Sequence, residues 1–144
     1  MGALNRLPVI VTSLRRIDHP KGAVYHAMKA SDIGFAGFGE AYFTTVIPGE
    51  TKGWKQHTVM QMNLVVPVGE VEFHVRAGDD GETQSYVLGD SNYARLTVPP
   101  GHWVALTGRG VGLNLVLNVA SLPHDPAEAI NLPLETFPLR EGDA

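Results

Sequence analysis

An all-β, mostly antiparallel fold is predicted by three observations. Short runs rich in Val, Thr, Phe, Tyr and Leu recur along the chain, and helix-period patterning is scarce. Clusters of Gly, Pro, Asp and Asn interrupt these runs at spacings that leave no room for the crossover helices parallel strands require. Within the runs, alternation with a period of two assigns side chains to distinct faces. A sandwich or barrel closed by antiparallel connections accounts for all three.

The elements follow in chain order. The first 22 residues hold a short apolar stretch from Leu7 to Val11 with no cleavage-like site after it. This stretch is expected at a sheet edge, where strand exchange or pairing with a second subunit would cover it. Asp32 to Gly39 is glycine-rich with two phenylalanines and reads as a tight turn between packed aromatics, or as a lid over a pocket. Strands are predicted over 41–47, 57–66, 71–75, 83–88, 93–98, 103–107 and 113–119, with breaks at 48–50, 67–69, 78–81, 89–92, 99–101 and 108–110. Asp125 can cap a short helical turn with Pro126 at its first position, before Pro133 stops it and an extended tail follows.

Bulk properties narrow the function. The chain has 144 residues, a net charge of -4 and no cysteine. One domain spanning 1–144 is the expectation at this length. Interspersed charge without a basic block argues against nucleic acid as a partner. The absence of cysteine excludes disulfides, thiolate ligands and a Cys nucleophile, and suits a reducing cytoplasm. Nothing approaches the run of about 18 apolar residues that a spanning helix needs, so no membrane partner is expected. There is no Gly-rich phosphate loop in a strand-then-helix setting and no G-x-S-x-G.

Alternation from His57 onward places Thr58, Met60, Met62, Leu64 and Val66 on a core face, and His57, Val59, Gln61, Asn63 and Val65 on the other. Leu113, Leu115, Leu117 and Val119 oppose Asn114, Val116 and Asn118. Buried amides need partners, so Gln61, Asn63, Asn114 and Asn118 either stitch the barrel or line a concave site for a hydroxylated ligand such as a sugar. Glu70, Glu72, His74 and Arg76 form a polar stripe that most simply faces water, with His74 and Glu72 the candidate site contributors. His57 is the side chain most easily poised for acid-base work near neutrality. Lys55 can bind an anion or polarise a carbonyl, and Trp54 and Trp103 can stack on a sugar or base, or pack at a barrel rim.

The run GEAYFTTVIPGETKGWKQHTVMQMNLVVPVGEVEFHV, then NYARLTVPPGHWVAL and LNLVLNVASLPHDPAEAINLPL, resembles the nucleotide-sugar-modifying cupins similar to dTDP-4-dehydrorhamnose 3,5-epimerase, over about Gly39 to Leu139. The resemblance implies a double-stranded β-helix (jelly-roll barrel), a homodimer, no cofactor, and proton abstraction beside the ketone of a nucleotide-linked 4-keto sugar for surface-polysaccharide synthesis. A cupin metal site needs a histidine pair, a glutamate and a later histidine. Here Lys55 precedes the single His57 and Val104 takes the later position, so no metal is expected. The family's arginine-glycine-x-histidine corresponds to Lys52-Gly53-Trp54-Lys55, its tyrosine falls at or near Asn118, and the late aspartate that orients its histidine has no clear equivalent. The sister sugar 3,4-ketoisomerases carry arginine-glycine-x-histidine-x-histidine, whose second histidine matches His57. The resemblance and the strand faces together give His57 and Lys55 for catalysis, with Lys52, Gln61, Asn63, His74, Trp103, Asn114 and Asn118 for substrate. The alternative is a carbohydrate-binding or nucleotide-sugar-binding cupin of the same pathway without chemistry.

Overall fold

The computed structural model describes residues 7–78 and 81–139. Its strands are β1 (Ile10–Ser13), β2 (Arg16–Ile17), β3 (Val24–Tyr25), β4 (Glu40–Thr45), β5 (Thr51–His57), β6 (Met62–Val68), β7 (Glu70–Arg76), β8 (Gln84–Gly89), β9 (Ala94–Val98), β10 (Trp103–Gly108), β11 (Leu115–Ala120) and β12 (Ala129–Asn131). They form two five-stranded sheets, ordered β1-β9-β6-β11-β4 and β12-β5-β10-β7-β8, and the small β2-β3 hairpin. Every strand pair is antiparallel. This is the antiparallel architecture that the alternation and the turn spacing predict, and the jelly roll that the resemblance implies. Among the described residues, no helix is long and apolar enough to cross a membrane.

The sheets face each other across an apolar core that includes Leu64, Val66, Val71, Phe73, Leu96, Val98, Val104 and Val116, all buried. Burying this surface is the main driving force for sandwich closure, at about 25 cal/mol per Å² of apolar area. Strand β11 keeps its expected alternation, with Leu115, Leu117 and Val119 half-buried outside and Val116, Asn118 and Ala120 buried inside. The Asp125 cap is also as expected: its carboxylate accepts the Ala127 amide at the start of a 3-10 turn, Pro126–Glu128. A second 3-10 turn, Leu134–Thr136, follows β12. The segment at 32–39 is a turn only as far as Gly34, whose carbonyl accepts the side-chain amides of Gln61 and Asn63; residues 35–38 are irregular and Phe38 is exposed rather than packed. The break predicted at 78–81 includes residues 79 and 80, which lie outside the described residues.

Three expectations are corrected. The predicted strand 57–66 is two strands: His57 ends β5, residues 58–61 form a bend, and β6 begins at Met62. The 67–69 break is narrower, because β6 runs through Pro67 to Val68. Leu115 and Leu117 pair with Val68 and Val65, two residues against three, so Pro67 lies in a bulge where its missing N–H breaks no regular ladder. The polar stripe of β7 does not face water: Glu72, His74 and Arg76 are all buried. There Glu72 accepts from Ser85 and from Arg109 Nε (2.7 Å), and His74 Nε2 lies 2.9 Å from Thr107 Oγ1.

Candidate active site

Strand β5, which lies outside the predicted strands except at His57, carries the site. Its Lys-Gly-Trp-Lys run lacks apolar alternation because a bulge interrupts it. Val104 and Leu106 of β10 pair with Lys55 and Lys52, two residues against three. The extra residue brings both lysines to the side shared by Val104 and Leu106, and His57, two beyond Lys55, falls there too. Trp54 turns outward. Gly53 has φ +153°, and a Cβ there would lie 2.5 Å from the Cβ and 2.7 Å from the Cα of Ala105.

Two cross-strand rows face each other over a cavity of about 340 Å³. One sheet presents Leu64, Asn118 and Tyr42, paired in that order across β6, β11 and β4. The other presents Asn131, Lys55 and Val104 across β12, β5 and β10. Lys52 and His57 also line the cavity. Lys52 Nζ donates to Thr44 Oγ1 and the Thr45 carbonyl, each at 3.0 Å, which keeps it exposed beside β4. Asn118 Oδ1 accepts the Asn63 amide (3.0 Å) and its Nδ2 donates to the Tyr42 hydroxyl (2.9 Å). The Tyr42 proton therefore remains for an oxygen in the cavity.

The central contact is His57 Nδ1 to Glu128 Oε1, at 2.7 Å and buried on both sides. The other Glu128 oxygen accepts the Val59 (2.9 Å) and Met60 (2.8 Å) amides. Burial pushes the Glu128 carboxyl up, but the Met60 amide, the His57 imidazole and the Val59 amide outweigh it and leave the group below its usual value. An ionised carboxylate cannot donate, so His57 Nδ1 carries the proton and Nε2 is the basic nitrogen available to a ligand. A base oriented by a carboxylate at the wall of a largely apolar cavity is the arrangement that proton abstraction from carbon needs.

Of the sequence-predicted site residues, His57, Lys55, Lys52 and Asn118 meet at this cavity. The others lie elsewhere. Gln61 and Asn63 point to the outer side of the first sheet, where they hold Gly34 and where Asn63 Oδ1 accepts Thr97 Oγ1 at 2.6 Å. The bend at 58–61 resets the alternation, so the cavity side continues through Met62 and Leu64 rather than Asn63. Asn114 stitches turns, accepting the Glu70 and Gly110 amides and donating to the Val46 and Gly110 carbonyls. His74 and Trp103 face the outside of the second sheet, Trp103 against Phe137. Sequence reasoning misses Glu128, Asn131 and the role of Tyr42. Asp125-Pro126 signals the turn holding Glu128, but nothing local says which strand that turn meets. The orienting carboxylate, for which the sequence shows no clear equivalent, is supplied by Glu128.

Fold and site together define a cupin-type barrel with a carboxylate-bonded histidine at the wall of a cavity. The chain belongs to the family described as FdtA: WxcM-like, C-terminal, whose model matches residues 8–134. A dTDP sugar isomerase from Desulfovibrio desulfuricans G20 is 29% identical, with a TM-score of 0.88 over 96% of this chain and 94% of that one. The sugar 3,4-ketoisomerase QdtA from Thermoanaerobacterium thermosaccharolyticum, solved with TDP, is 22% identical, with a TM-score of 0.73 over 85% and 86%. The dTDP-4-dehydrorhamnose 3,5-epimerase from Sulfolobus tokodaii is 13% identical, with a TM-score of 0.78 over 90% and 80%. No curated protein matches in sequence.

Proposed function

We propose that the protein is an isomerase or epimerase of a nucleotide-linked 4-keto sugar, with 3,4-ketoisomerisation the form its site supports best. The observation that carries this reading is the His57–Glu128 contact at the cavity wall. His57 Nε2 takes the proton from C3, the C3–C4 double bond forms, and negative charge develops on O4. The Lys55 ammonium stabilises that charge, and the Tyr42 hydroxyl is the second donor in the cavity. Transfer of the O3 proton to O4 makes O4 a hydroxyl and restores a carbonyl at C3, while His57 returns its proton to C4. Lys52, at the exposed side of the cavity, is the cation for the diphosphate. The family likeness and the dTDP-sugar isomerase at 29% identity support the substrate class.

The test is incubation in heavy water with TDP-4-keto-6-deoxyglucose, the ligand in a solved structure of a QdtA mutant. Deuterium should appear at carbon beside the ketone, and His57→Asn should slow it by about 10²–10⁴-fold. Binding of the nucleotide sugar without exchange would overturn the enzymatic reading in favour of a binding cupin.

A homodimer is part of the proposal. The outer face of β4 and β11 carries a row, Phe43 beside Leu117, with Phe43 63% exposed. In the next row Leu115 stands beside Val68, itself 44% exposed. Such a face suits burial against a second copy better than it suits water.

A further inference from the structure

The cavity depends on residues at the C-terminal edge of the second sheet. Glu128 orients His57, and Asn131 and Leu132 form part of the cavity wall, yet all three belong to one C-terminal segment laid along the edge of β5. Strand β12 has only three residues and, among the described residues, no strand on its far side. Beyond it, Trp54 and Leu132 exchange backbone hydrogen bonds at 3.0 and 2.9 Å, and Trp54 Nε1 donates to the Leu134 carbonyl at 3.0 Å. The Phe137 ring closes the arrangement. It lies edge-on to Trp54 at 5.6 Å, tilted to Trp103 at 5.7 Å, and 4.4 Å below the Arg76 guanidinium.

These contacts form an apolar cluster of their own. Trp54, Trp103 and Ala105 pack with Leu132, Leu134, Phe137 and Leu139, separately from the core between the sheets. A segment held by its own cluster can loosen without unfolding the barrel. Trp54 also sits in the β5 bulge between Lys52 and Lys55, so the residue that receives Phe137 is bonded into the strand that carries the site.

We propose that Phe137 is a positioning residue: its seat between Trp54 and Trp103 fastens the 126–139 segment and thereby holds Glu128 on His57 and Asn131 and Leu132 in the cavity wall. The catalytic part of this inference rests on His57 being the base; the mechanical part does not. An unseated segment carries the Glu128 carboxylate away from both the imidazole and the 58–61 bend, leaving a misoriented base and an opened cavity.

The experiment compares Phe137→Ala and Phe137→Leu with the unaltered chain. Amide hydrogen exchange at Val59 and Met60, the two backbone donors to Glu128, and the NMR signal of the His57 Nδ1 proton report the fastening. In the alanine variant, Val59 and Met60 should exchange about tenfold faster or more and the Nδ1 proton signal should broaden away. Core amides such as Phe73 and Leu96 should be unchanged. With the keto sugar, kcat should fall about tenfold and KM change by less than about threefold, with the leucine variant recovering most of the loss. Unchanged exchange at Val59 and Met60 overturns the proposal. Faster exchange there, in a protein that never exchanges substrate protons, supports the fastening and overturns the role of His57. If the alanine variant does not fold, the leucine variant decides between the same outcomes with smaller changes.

Discussion

Glu128 shows how a single side chain sets both chemistry and stability. Its two oxygens have separate tasks, one holding the proton on His57 Nδ1 and the other tying down the bend at 58–61. Glu128→Gln keeps the shape but not the acceptor set, since an amide that continues to accept the Val59 and Met60 bonds turns its NH2 toward His57. The imidazole then protonates Nε2 and loses its basic nitrogen, and turnover should fall by about 10²–10⁴-fold in steady-state assays. The same group makes stability depend on pH. Because its folded carboxyl lies below the usual value of 4.5, its contribution is fully present above that value and is lost as pH falls through the lowered one. Urea midpoints of the unaltered protein should drop on acidification, and Glu128→Gln, about 1–3 kcal/mol less stable near neutrality, should show a shallower drop.

At the scale of the element, the β5 bulge decides what the cavity contains. In a regular strand Lys52 and Lys55 would point to opposite sides, and only the extra residue unites them. Gly53 makes this possible through a positive φ and a backbone approach to Ala105 that leaves no room for a side chain. Gly53→Ala should destabilise the protein by about 1–3 kcal/mol in chemical denaturation, because the Ala105 Cα cannot swing aside as a flexible side chain could. The loss should extend to nucleotide binding, since a straightened β5 turns one lysine out of the cavity. A glycine between lysines and a tryptophan reads as a break in sequence, and that is why β5 escapes the strand pattern although it carries the site.

For the molecule as a whole, the exposed apolar rows of β4 and β11 point to assembly. A dimer formed there should appear in sedimentation as about twice 15.5 kDa, and Phe43→Asp should return it to the monomer with His57 and Glu128 undisturbed. A monomer at all concentrations would leave these rows without a function. The opposite sheet is managed differently: on its outer side the buried Glu72 accepts from Ser85 and Arg109, and the C-terminal segment covers Trp54 and Trp103.

Turn residues and period-two alternation were enough to read the antiparallel architecture, the alternation of β11 and the Asp125 cap, because these depend on neighbours in the chain. The family motif points to His57, Lys55 and Lys52, and the 113–119 alternation with the family's tyrosine position points to Asn118; all four line the cavity. Tertiary structure alone decided that Gln61 and Asn63 face away from the cavity, that His74 is buried outside it, and that Glu128 meets His57 across 71 positions. The physical reason is parity: one residue in a bulge or a bend reverses the face of everything after it, and a hydrogen bond between distant segments leaves no periodic trace in either.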